Sequence, residues 1–157
     1  MARFTVDLSG LEAVMDEVDA MRERAEKLDT PLRAAADELG EVILESFTTQ
    51  QSPLGQAWAP LDPDGDGKQP LAGLQSAVRT GTDGRSITFG VQGPKAVAAG
   101  VAQFGAAKSG RGGKTRVPAR PFMPLDPAGK PSFASGRAKT WMDRVRERVV
   151  EWILTGK

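Results

Sequence analysis

Three aspartates at alternate positions, in Asp62-Pro63-Asp64-Gly65-Asp66-Gly67, are the first residues of this chain that could do chemistry. Their order matches the opening of a calcium loop, where alternate carboxylates converge on a hard cation. Such a loop closes with a bidentate glutamate at its twelfth position, which here is Gly73. No helix enters from Pro60-Leu61 either, so the trio reads as a solvated turn. The rival reading, a hydrolase built on Asp62, Asp64 and Asp66, predicts divalent-metal binding. Gly113-Lys114-Thr115 ends like a phosphate loop, but the first glycine of that pattern falls on Lys108. A helix should follow, whereas Arg116-Val117-Pro118 reads as extended. The chain has no histidine, no cysteine and no tyrosine. A Ser-His-Asp triad, a Cys-His pair and a histidine or thiolate zinc site are therefore excluded within one chain. We expect no catalytic residue, no cofactor and no resident metal.

The remaining candidates are basic. Lys108, Arg111, Lys114, Arg116 and Arg120 form a run on glycine-rich backbone. Binders of single strands interleave aromatic stacking platforms, and here only Phe104 and Phe122 flank the run. The run therefore suits nonspecific attraction to a DNA backbone, or plain solvation, rather than sequence readout. A charge imbalance extends through the whole chain. Through Pro70 there are 15 acidic and 6 basic residues, a net of −9; from Leu71 onward there are 15 basic and 5 acidic, a net of +10. Opposite halves can pair within one molecule, or pack head to tail between copies.

The elements that would position these residues can be read from periodicity. A length of 157 residues suggests one domain, with a core that needs no staples. No signal peptide is visible, and no apolar run approaches the roughly 18 residues of a membrane span, so we expect a soluble protein made in a reducing cytoplasm. Phe4, Val6 and Leu8 alternate as a short strand. Leu11, Val14, Val18, Met21, Ala25 and Leu28 then form a narrow helical stripe suited to one partner helix, expected to be the next one. Pro31 opens that second helix, with Leu32, Ala35, Ala36, Leu39, Val42, Ile43 and Phe47 on its apolar face. Residues 51–70 read as a Pro/Gly loop, with Trp58 burying against the core to pin it. Within 71–125 we expect a helical turn and a strand, then an Asp83-Gly84 type I′ turn, and a returning strand through Ile87, Phe89 and Val91. A short helix through Val97, Val101 and Phe104 follows, closed by Gly105, and then a basic loop over 105–115. Trp141, Val145, Val149, Trp152 and Ile153 mark an amphipathic helix over 134–155. The sum is an α+β domain: a small antiparallel sheet flanked by an N-terminal helical hairpin and a C-terminal helix.

Between loop and final helix lies Val117-Pro118-Ala119-Arg120-Pro121-Phe122-Met123-Pro124-Leu125. Its prolines cannot donate to a sheet ladder, which leaves a stiff, extended edge segment displaying Arg120 beside Phe122. Such a segment suits docking: Arg120 toward a partner carboxylate, Phe122 into an apolar pocket or else into the chain's own core.

Two boxes in this order resemble a known family. Pro53-Leu54-Gly55-Gln56-Ala57-Trp58-Ala59-Pro60-Leu61 is similar to the P-x-G-x-x-W-x-P-L box of phage virion morphogenesis proteins, the tail-completion proteins of tailed phages, including the Mu-like group. Val117 to Phe122 matches the family's V-P-A-R-P-F box. Phe47 before the first box and Val101-Ala102-Gln103-Phe104-Gly105 before the second fit as well, so the resemblance covers roughly residues 30 to 155. The chain departs from the pattern at Ala98-Ala99-Gly100, where tyrosine or histidine is usual, and at Leu71-Ala72-Gly73-Leu74, a reduced form of a threonine-glycine stretch. The resemblance implies a structural virion protein at the head-proximal end of the tail, capping the tube and helping to join it to the head. It implies a ring, hexameric in the family, with DNA passing through without sequence specificity. It also implies contacts to the tail tube or sheath and to the head–tail connector, assembly in the host cytoplasm, and no membrane, catalysis or cofactor. Its motif residues Pro53, Gly55, Trp58, Pro118 and Pro121 would be structural, and the basic residues with Arg120 and Phe122 would face partners. Alternatives are a stopper-type connector and a nonspecific DNA-binding protein.

Overall fold

The computed structural model describes residues 9–59, 71, 73–109 and 115–157. The expected strand at Phe4 to Leu8, the three aspartates, Arg111 and Lys114 lie outside them. The described chain runs α1 (Ser9–Glu26), α2 (Asp29–Thr49), β1 (Val78–Thr82), β2 (Ile87–Val91), α3 (Ala96–Phe104), β3 (Ala106–Ser109), β4 (Thr115–Val117) and α4 (Gly136–Thr155). The fold is α+β, with antiparallel strand pairs and helices at both ends.

The α2 helix is the centre. Its wide apolar face buries Ala35, Ala36, Leu39, Val42, Ile43 and Phe47, as residues recurring every three or four positions must. On one side lies α4, whose Trp141 is buried and donates its indole N–H to the Ala35 carbonyl at 2.9 Å. On the other lies the β1–β2 hairpin, in register from Val78↔Val91 to Thr82↔Ile87. That register leaves a four-residue loop, 83–86, in place of the two-residue type I′ turn expected. The Asp83 side chain organises it: Oδ1 accepts the amides of Arg85 and Ser86 at 2.9 and 2.7 Å. An Asx-type bond of this kind competes successfully with the tight turn.

Ion pairs also bind the acidic first half to the basic second half: Arg148 to Glu38, and Arg137 to Glu45 at 3.0 Å. Both join α4 to α2. Arg137 further donates to the Ser46 hydroxyl and the Gln51 carbonyl.

The α1 stripe does not behave as expected. Leu11, Val14 and Val18 of that stripe, and Met15 beside them, are 51–58% exposed. The helix leans on α4 instead of on α2, through its opposite face. The Trp152 indole donates to the carbonyls of Arg24 and Lys27 at 3.2 and 3.1 Å, and Arg24 donates to the Leu154 carbonyl at 3.1 Å. Those bonds tie the carbonyl-bearing end of α1 to α4, the Arg24 carbonyl also accepting the Lys27 amide, and they set the rotation of α1.

A second correction concerns the basic loop. Ala106–Ser109 pairs antiparallel with Thr115–Val117, so Lys108 and Arg116 ride on a short hairpin. The regular pairing ends at Val117. The prolyl segment beyond it is not an edge strand; it turns inward and buries Phe122 and Pro124.

Where α4 begins, Gly136 has φ +60, and a Cβ there would meet the Pro53 carbonyl oxygen and the Leu54 carbonyl carbon at 2.6 Å. Gly136→Ala should therefore destabilise by about 2 kcal/mol or more, through clash and left-handed strain. Gly100→Ala, in α3 with nothing within 4 Å of the new methyl, should stabilise by about 0.5–1 kcal/mol. Urea midpoints of the two variants check both signs. The amides on Asp83 favour its ionised form and hold its pKa below the usual 3.8. Its loop is thus supported in full above the unfolded value, and the support is lost as pH falls through the lower folded pKa. NMR titration of the Asp83 carboxyl should show a midpoint below 3.8, and Ser86→Pro, which removes a donor amide and a donor hydroxyl, should raise it.

Candidate functional site

The two proline-containing boxes, some 60 residues apart, meet over the end of α2. The first box is a tight turn. Ser52 is buried; its amide donates to the Gln56 carbonyl at 2.7 Å, and its hydroxyl accepts the Gln56 amide at 3.0 Å. Gly55 occupies the turn at φ +91. The Trp58 amide then donates back to the Gln50 carbonyl at 2.8 Å. This doubling-back brings the Trp58 ring edge-on to Phe47, with centroids 5.7 Å apart.

The second box comes to the same place. Phe122 is fully buried and packs on Phe47 at 5.1 Å. The Trp58 indole donates to the Pro121 carbonyl at 2.7 Å, and Arg120 Nε donates to the Ala59 carbonyl at 3.3 Å. Gln103, from α3, completes the joint. Its Oε1 accepts the amides of Phe122 and Met123, each at 3.0 Å, and its Nε2 donates to the Met123 carbonyl at 3.1 Å. The Gln103 amide thereby stands in for a strand partner. It satisfies backbone that three prolines keep out of any sheet. The Arg120 amide donates to the Ala102 carbonyl at 2.7 Å. Such close approach of the box to α3 needs Gly105, where a Cβ would lie 2.9 Å from the Val117 oxygen and the Ala119 nitrogen.

The end of α4 closes the assembly. The Ala138 amide donates to the Pro53 carbonyl at 3.0 Å, and the Ser135 hydroxyl to the Leu54 carbonyl at 3.0 Å.

Of the residues singled out from sequence, Pro53, Gly55, Trp58 and Pro121 thus converge on one joint, while Pro118 lies exposed beside it. Phe122 is a core residue, not an anchor for a partner's pocket: its ring is consumed by Phe47 and its backbone by Gln103. Arg120 is half-buried against the first box. Lys108 and Arg116 are exposed on the hairpin. Gln103 was missed. Its only sequence signal is a lone amide within the otherwise apolar Ala96-Val97-Ala98-Ala99-Gly100-Val101-Ala102-Gln103-Phe104. The buried face of α3 is not the expected Val97, Val101 and Phe104 stripe. Ala99, Ala102 and Gln103 point inward, while Val97 is 80% and Phe104 48% exposed. Among the described residues no cluster of three acidic side chains could hold a metal ion, and no helix is long and apolar enough to cross a membrane.

In this joint the Gln103 amide, the Trp58 indole and the Ser52 hydroxyl bond to backbone, so its work is to hold two boxes together and present what surrounds them. The sequence profile of the phage virion morphogenesis family matches residues 6–135, and the chain belongs to that family. The match spans both boxes, includes α1, and ends just before α4. It is to the family as a whole and does not single out the Mu-like group. No curated protein and no solved structure matches the chain.

Removing the joint's polar link should be as harmful as removing its ring. Gln103→Leu keeps most of the volume but leaves the Phe122 and Met123 amides without partners, while the Met123 carbonyl keeps the Leu125 amide; the two lost partners should cost about 3 kcal/mol or more. Phe122→Ala should cost about 3–5 kcal/mol. Chemical denaturation of both variants, with tryptophan fluorescence as the probe, checks the equality.

Proposed function

We propose that this protein completes the tail of a tailed phage, as a ring of copies at the head–tail junction that caps the tail tube and supports head joining. Family membership supplies the phage structural class. The observation that carries the finer reading is the arrangement around the joint. A rigid double box supports an exposed basic hairpin, with Lys108 and Arg116 outward. From residue 93 to residue 120 the chain has six basic side chains and no acidic one. The exposed basic side chains of that hairpin suit a wall past which DNA slides. They equally suit a contact with an acidic face of the tube, or of the connector above it.

Catalysis plays no part in this reading. The stopper-type connector and the free DNA-binding protein differ from it in what the purified protein should touch.

Negative-stain images of purified tail tubes should show added density at one end only when this protein is present. Lys108→Glu with Arg116→Glu should abolish that density while leaving the melting curve nearly unchanged, since both side chains are exposed. Density on connector-bearing heads but not on tubes would favour the stopper. Retardation of DNA that falls steeply with salt, with no density on either, would favour the DNA-binding protein.

A further inference from the structure

Two helices of this chain present their apolar residues outward. On α1, Leu11, Val14, Met15 and Val18 recur at helical spacing on one face and are each more than half exposed. The opposite face, through Ala13, Ala20 and Arg24, looks toward Trp152 of α4. At 3.6 residues per turn the two faces are half a turn apart, so the Trp152 and Arg24 hydrogen bonds hold the apolar stripe away from the molecule. On α3, Val97, Val101 and Phe104 lie opposite the buried Ala99, Ala102 and Gln103. Gln103 must face the prolyl box, and this leaves Val97 and Phe104 exposed and Val101 half-buried between them.

The charges around the two faces are opposite. Within α1 there are six acidic and two basic residues, a net of −4. Glu12, Asp19 and Glu26 repeat every seventh position and so line one flank of the stripe. The described ion pairs of α1 are all local: Arg22 with Glu26, Arg24 with Glu17, and the adjoining Lys27 with Glu23. The basic half of the chain does not neutralise this helix, since its described cross-pairs go to α2. Around α3 the surroundings are mostly basic, with Lys95 before it and Lys108 and Arg116 on the hairpin after it, against one carboxylate, Asp126, beside Phe104.

We propose that the apolar face of α1 docks against the outward face of α3 and the β3–β4 hairpin of a second copy of this chain. Apolar residues meet apolar residues, and the acidic flank meets the basic hairpin. Pairing α1 with α1 would instead oppose like charges, so an isologous dimer is disfavoured. A heterologous contact of this kind repeats head to tail, and it rests on the proposed ring in that a closed ring requires such a contact.

The absence of cysteine makes the test clean. Val18→Cys and Val97→Cys are made separately, mixed, and oxidised with copper phenanthroline, both alone and on tail tubes. Both sites are exposed, so melting temperatures should stay within about 2 °C of the parent. The expected result is a disulfide-linked dimer in the mixture, at least tenfold above either variant alone. Val14→Asp, added to the Val18→Cys partner, should remove it. No dimer in the mixture, with or without tubes, overturns the contact. So does a Val18→Cys protein that dimerises as well alone. If the mixed dimer is absent while the parent protein still caps tubes, the contact is wrong and the tail-completion reading stands. If the mixed dimer forms while the protein caps nothing, the contact stands and that reading fails.

Discussion

The structure depends on how it satisfies the backbone of a segment that cannot join a sheet. Pro118, Pro121 and Pro124 deny the second box a ladder, yet Phe122 must be buried. A buried, unpaired amide costs about 1–3 kcal/mol, and the Phe122 and Met123 amides both lie in that position. Gln103 accepts both. Burial of Phe122 then follows, contributing about 2–3 kcal/mol. The ring meets Phe47, Phe47 meets Trp58, and Trp58 returns a hydrogen bond to Pro121. The two boxes and two helices are therefore mutually dependent. Removing any member leaves a void or an unsatisfied group among the others.

One consequence reaches the surface. Because the amide of Gln103 has to point at the prolyl box, α3 can bury only small residues on that side, and its larger apolar residues turn outward. The rotation of α1 has a similar origin. Trp152 needs a hydrogen-bond acceptor for its indole and finds two carbonyls at the end of α1. In both helices a side-chain hydrogen bond to backbone, buried at Gln103 and partly exposed at Trp152, accompanies the apolar residues that remain outside. The exposed apolar stripe is the surface we propose for contacts between copies.

The charge division is also only half resolved within the molecule. Glu38 and Glu45 of α2 find Arg148 and Arg137 of α4. These pairs hold the longest helices together, while α1 keeps its negative charge and the hairpin its positive charge. That remaining imbalance is what the proposed contact between copies uses, since electrostatics sets orientation and partner more than raw affinity.

The sequence by itself determined the helices, the β1–β2 hairpin, the α+β class and the family. Helical stripes such as Ala35 to Phe47, alternation at Ile87 to Val91, and turn residues are local signals, and the two boxes are linear motifs. Only the tertiary structure decided which stripe is core and which is surface, that Phe122 belongs inside, and that Lys108 rides on a strand. Ala106-Ala107-Lys108-Ser109 carries no β-branched or aromatic residue, so nothing local marks it as a strand. Gln103 looked like one polar residue in an apolar helix, because its partners lie some 20 residues away. Periodicity reports that a helix has an apolar face; the partner that face meets depends on hydrogen bonds closed across the whole chain, at Gln103 and at Trp152, which no local pattern encodes.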